Sequence, residues 1–437
     1  MLQTPKLNRR LSALFLLAAS LLLCAARPQA QTHLFTSMFE REVYNVAVDP
    51  ATNLVYAPSG SHWDARLGVL DWSLGSPASD VKVSYIPLPT DSYPLEVAVN
   101  PMARRVYATD YFSNRLLVVD AAAGTYLTAV ALGARPRDVA VNAATGRVYV
   151  TLPEANQVQV IDGGTNTLSA TVVMPEGCGT PYAMAVDSSS GRVFVTSLAG
   201  SSVCVVEGDA VVATAYVGRG PYSIAANPAT GRVYVANKFD GTVSVIRASD
   251  ASHEATFTVS FLADGVAVNP TTDRVYVTDS WRRMILVMDG DPASATYHMS
   301  LGYAWGPERM YDIAVNPSTN VLYVASGMMF VYHDPPPSPA AQLAALIEKV
   351  QGMNLAQGIA NSLDAKLGSA RAALDSARGG DAGAACHKLE AFAGEVRAQA
   401  DKGQLTQAQA DGLVRAADRI RAALGCECSR SVSASCR

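Results

Sequence analysis

VAVNPTTDRVYV, from Val266 to Val277, is one of seven versions of a single phrase. The others read VAVDPATNLVYA from Val46, VAVNPMARRVYA from Val97, VAVNAATGRVYV from Val139, MAVDSSSGRVFV from Met184, IAANPATGRVYV from Ile224 and IAVNPSTNVLYV from Ile313. Successive starts lie 51, 42, 45, 40, 42 and 47 residues apart. Each phrase is written as a hairpin. An apolar run stops at Asn-Pro or Asp-Pro in most copies, where proline fixes φ and removes a backbone donor. A polar turn follows, rich in residues that tolerate turn dihedrals, and then a second run of β-branched and aromatic residues.

Working outward, a third apolar run follows the hairpin at Leu116–Asp120, Val158–Asp162, Val203–Glu207, Val243–Arg247 and Ile285–Asp289. A weaker fourth follows in most copies, as at Ala170–Val173 and Ala255–Val259. Four strands per repeat, seven times over, predict a mainly β chain folded as a seven-bladed β-propeller across residues 32–334. A parallel β-helix needs shorter coils, and a βαβ fold needs helical periodicity between strands. The last repeat has three runs, at Ile313–Asn316, Val321–Ser326 and Met328–His333, before Pro335-Pro336-Pro337. The spare apolar stretch His33–Phe39 is expected to supply the outer strand of that blade and so close the ring.

The two ends read differently. Lys6, Arg9 and Arg10 precede the apolar run Leu11–Leu23, the pattern of a signal peptide over residues 1–30 with cleavage near Ala26 or Ala30. Leu23 before Cys24 departs from the small residue of a lipobox. No run approaches the roughly 20 apolar residues of a membrane helix. A periplasmic or secreted location follows, and the six remaining cysteines, Cys178, Cys204, Cys386, Cys426, Cys428 and Cys436, read first as disulfides. Cys178 with Cys204 suits one face of blade four; the other four leave three pairings open. A stiff proline-rich linker spans 335–339, a small α-helical bundle 340–425 and a cysteine-containing tail 426–437. The helical faces are Leu343, Leu346, Ile347 and Val350; Ile359, Leu363, Leu367 and Leu374; and Leu389, Phe392 and Val396. Thr406 with Gln409 reads as a capping box.

The repeated VAVNP-x-T-x-RVYV with V-x-VID resembles the YVTN family of bacterial propeller repeats, related to NHL repeats, over residues 32–334. The resemblance implies an extracytoplasmic binding or scaffolding role and supplies no catalytic set. LIEKV, GIANSLDAKLGSA, AACHKLEAFAGEVRAQ and LTQAQADGLVRAADRI resemble a helical module at the C-terminus of exported bacterial proteins.

The residues leading into each inner strand should ring one mouth of the channel. They include Tyr44, Glu96, Arg137, Asp138, Tyr182, Tyr222, Asp264, Tyr311 and Asp312. Tyrosines interleaved with carboxylates suit a glycan, a peptide segment or a polar small molecule. In the competing structural reading the tyrosines pack between blades and the carboxylates are solvated. Loops between second and third strands add Trp63, Tyr111, Phe112, Phe239, Trp281 and Arg282, residue types that favour a protein partner. The same aromatics with arginine could stack single-stranded nucleic acid. The whole chain carries −4, and residues 1–30 hold Lys6, Arg9, Arg10 and Arg27 with no acid, so the chain beyond them carries about −8. That balance disfavours nucleic acid. Carboxylates converging on a channel also suit Ca²⁺ and, with it, a lactonase-like metal-dependent hydrolase or lyase. Binding leads these readings, with no cofactor required and enzyme function the alternative. No phosphate loop, nucleophile elbow or dinucleotide fingerprint is present.

Overall fold

Each phrase folds into an antiparallel pair of strands, as where Gly265–Asn269 meets Arg274–Asp279 with Val266 opposite Val277 and Asn269 opposite Arg274. The residue closing each of the seven turns is Asn53, Arg104, Gly146, Gly191, Gly231, Asp273 or Asn320, and every one is left-handed, with φ between 53° and 74°. Asn, Asp and Gly adopt that conformation at little cost, which explains six of the seven residues at the position, Arg104 being the exception. The computed structural model describes residues 32–426, apart from 38, 40–41, 62–63, 73–80, 260, 293, 295, 336–337, 354 and 377–381. The leader over 1–30, Trp63, Cys428 and Cys436 therefore lie outside the described residues.

Seven antiparallel four-stranded sheets succeed one another, each with its strands in chain order from the channel outward, save the last. Blade 1 runs Ala47–Pro87, blade 2 Pro94–Ala131, blade 3 Val139–Val173, blade 4 Pro181–Tyr216, blade 5 Pro221–Thr258 and blade 6 Gly265–Trp305. Blade 7 combines Asp312–Asn316, Val321–Ser326 and Met328–His333 with Thr32–Ser37 as its outermost strand. The fold is a seven-bladed β-propeller.

Blades are joined by apolar packing and by a few repeated polar contacts. The aromatic residue of each phrase (Tyr56, Tyr107, Tyr149, Phe194, Tyr234, Tyr276, Tyr323) is buried. Where geometry allows, its hydroxyl reaches the next blade: Tyr234 donates to the Gly290 carbonyl at 3.1 Å and Tyr276 to Asp334 at 2.6 Å. The asparagine that ends the inner strand in most phrases makes a second contact between blades. Its amide donates to the turn of the next blade, from Asn142 to the Gly191 carbonyl, from Asn227 to Asp273, from Asn269 to Asn320 and from Asn316 to Asn53. Asp49 and Asp187 lack that donor and instead accept from their own turns.

Four helices follow: α1 (Pro339–Gly352), α2 (Gln357–Ser376), α3 (Gly383–Asp401) and α4 (Gln407–Ala423). Ser338 caps α1, and Thr406 with Gln409 forms the reciprocal capping box of α4. Leu346, Leu363, Leu367, Phe392, Leu413 and Ile420 belong to a core made of helical-domain residues alone. Among the described residues two disulfides are formed, Cys178–Cys204 and Cys386–Cys426, the latter tying the start of α3 to the chain just beyond α4. Among the described residues no helix is long and apolar enough to cross a membrane.

Thr32–Ser37 covers a strand whose Met329 and Val331 are fully buried. Deleting residues 32–37 should lower the propeller's melting temperature by roughly 5–10 °C, the scale expected for a few kcal/mol in a domain this size. Differential scanning calorimetry on the full and shortened chains checks this, and an unshifted transition would contradict it.

Candidate functional site

The innermost strand of a propeller blade has no further strand on its channel side. The first amide of that strand must therefore find another acceptor. In this chain the acceptor comes from the preceding blade. Asn45 accepts from the Val97 amide at 2.9 Å, Asp138 from Met184 at 2.6 Å, Ser223 from Val266 at 3.1 Å and Asp312 from Val46 at 3.1 Å. All four acceptors stand one residue before their own inner strand's apolar run. The remaining three blades have Glu96, Ala183 and Gly265 at that place. Two of these defects are covered locally: Asp138 also accepts from its own neighbour Val139 at 2.7 Å, and Asp312 likewise accepts from Ile313. A carboxyl has two oxygens, and in Asp138 each takes one amide.

Glu96 has one methylene too many to play the same part and turns into the channel. It accepts from Arg137 and from Asn45, whose amide also donates to Asp312 at 2.9 Å. Arg137 continues to the Tyr182 hydroxyl at 2.8 Å, and the Tyr182 ring meets Tyr222 at 4.8 Å. On the next side Lys238 pairs with Asp264 at 2.9 Å and lies 4.2 Å over the Tyr222 ring. Asp264 also accepts from the Ser280 amide at 2.9 Å. Asn45, Glu96, Arg137, Tyr182, Tyr222, Asp264 and Asp312 wall a polar cavity of about 340 Å³ at the mouth, together with Tyr311. Tyr44 stands at the rim, edge-on to Tyr311 and bonded to Glu42.

Burial raises the Glu96 carboxyl above the usual range, and the Arg137 charge works against that rise. Asp138 is raised well above its ordinary value by burial and then by the Glu96 charge. The same two causes, burial first, push Asp312 up to about 7. The carboxylates are thus neither solvated nor idle. Among the described residues no three of His, Cys, Asp and Glu gather closely enough to hold a metal ion.

The loop aromatics form separate groups around the mouth. Tyr111 and Phe112 pack with Tyr93 beneath the Arg135 guanidinium, 5.7 and 5.9 Å from it. Phe239, 63% exposed, belongs to blade 5 and donates its amide to the Arg219 carbonyl. Trp281 is 73% exposed on blade 6, where Arg282 lies 5.2 Å over Phe261. Sequence reasoning missed Lys238, Tyr93 and Phe261. Lys238 sits in a loop between strands, and nothing local shows that it will reach the neighbouring blade.

No model of a known protein family matches the chain, and no curated protein matches it. Among solved structures it resembles hydrazine synthase of Kuenenia stuttgartiensis, with a TM-score of 0.54 and 13% identity over 66% of this chain and 95% of that one. At that identity the likeness is one of fold alone.

Asp312 yields a pH prediction. Unfolded aspartate ionises near 3.9, whereas in the fold this carboxyl keeps its proton to about 7. Folding therefore takes up a proton between those values, and the stability this proton adds is lost as pH rises through them. D312N should flatten the decline in melting temperature between pH 5 and 8, whatever its overall offset. Parallel slopes for the two proteins would show that Asp312 does not titrate there.

Proposed function

We propose that the chain is an exported binding or scaffold protein whose channel-mouth face takes a polar ligand, a glycan or peptide segment. The observation carrying this is the cavity itself. Its lining is a connected set of hydrogen-bonding groups (Asn45, Glu96, Arg137, Tyr182), held in place by bonds to one another, beneath a face studded with exposed aromatics. Aromatic surfaces bordering fixed polar groups offer both stacking and directional bonds. The YVTN-like repeats, the leader-like pattern at residues 1–30 and the two disulfides support export. Calcium at the mouth, and a lactonase-like reaction with it, would require Glu96, Asp138 or Asp312 to give up bonds the ring uses.

Binding of the purified protein to arrays of immobilised oligosaccharides and synthetic peptides tests the proposal. Y182F with E96Q should weaken captured ligands by about tenfold or more, the scale of losing a hydrogen bond to a charged group. Capture that is undiminished in this variant would place the site elsewhere, and an array without capture would sink the reading.

A further inference from the structure

The opposite face of the propeller carries the inner turns, and one of these is unlike the rest. Asp273 is the only acid among the seven turn-closing residues. Its side chain is 1% exposed, yet it accepts from Asn227 of blade 5 at 3.0 Å and from Arg419 of α4. Nearby on the same blade, Asp291 takes Arg419 at 3.3 Å and Lys349 of α1 at 3.3 Å. One blade thus holds two helices through two carboxylates. The start of the connection is fixed beside them, where Arg274 pairs with Asp334 and donates to the Pro335 carbonyl at 3.2 Å.

Among the described residues no apolar core is shared across this junction: the helical core contains no propeller residue, and the propeller's cores contain no helical one. Ion pairs, unlike buried apolar surface, are weakened by screening and by competing charge, partly buried pairs less than exposed ones. The charges are also unequal. Arg415 lies near Lys349, and its Nε is buried without a hydrogen-bond partner. Arg415 thus adds a third helical-domain cation close to Lys349.

We infer that the helical domain is held to the underside of blade 6 by a releasable electrostatic latch, Asp273 and Asp291 against Arg419 and Lys349. Both domains stay folded when it opens, because each keeps its own core. Opening bares a basic face on α1 and α4 and leaves the ligand mouth on the far side undisturbed.

Small-angle X-ray scattering on the full chain tests this at low salt and at 1 M NaCl, where the screening length shrinks to about 3 Å. The radius of gyration and maximum dimension should rise with salt. D273N/D291N should be extended already at low salt, with an unchanged far-ultraviolet circular dichroism spectrum. R419Q/K349Q should behave alike from the helical side, and it answers the question if the buried Asp273 proves necessary for folding. Scattering that is the same in every variant and at every salt concentration, with the fold intact, would overturn the latch.

Discussion

A backbone amide with no strand to bond to is the constraint under which this ring is built. Every inner strand exposes one at its channel end. Most are satisfied by the side chain one blade earlier, in the order Asn45 to Val97, Asp138 to Met184, Ser223 to Val266. The same bond crosses the seam between the last blade and the first, from Asp312 to Val46. Leaving such a group buried and unpaired costs about 1–3 kcal/mol. Summed over several blades, that is a sizeable part of a typical domain's net stability of 5–15 kcal/mol. The mouth is thus a polar belt that holds the blades in register.

Any ligand chemistry at the mouth is built on that belt and limited by it. Asp138 and Asp312 each serve two amides, which fixes their position and rotamer. Glu96 is the freer acid, held by side chains alone, and Arg137 links it to the tyrosines. A ligand exchanging bonds with Glu96, Arg137 and Tyr182 leaves the ring intact, whereas one drawing on Asp312 loosens the seam. The same separation of duties applies to the other face. There the asparagine amides tie turn to turn, and blade 6, besides keeping that pattern, holds the helical domain.

The propeller was legible because its signals are local. An Asn or Asp closing an apolar run, a left-handed turn residue and a β-branched and aromatic run occur within a dozen residues, and they recur seven times. The capping box at Thr406 is local in the same way. The site was legible only as a neighbourhood. Glu96, Asp138, Asp264 and Asp312 read as four similar rim acids, but their roles differ. Two satisfy amides about 46 residues onward or across the seam, one pairs with an arginine 41 residues away, and one meets a loop lysine. Those distinctions depend on one methylene and on where neighbouring blades stand, which a linear pattern does not record. The choice of Cys426 as partner for Cys386 is of the same kind, since it follows from the antiparallel return of α4 along α3.

The seam in blade 7 also orders events in time. Thr32–Ser37 finds its place only against Met328–His333, so the first propeller residues to be synthesised are among the last to be paired. The ring cannot close until some 300 residues later, and unpaired sheet edges are prone to joining a neighbour. The contact that makes the finished ring seamless is, during its manufacture, the longest wait in the molecule, and the step at which a holding chaperone would have most to do.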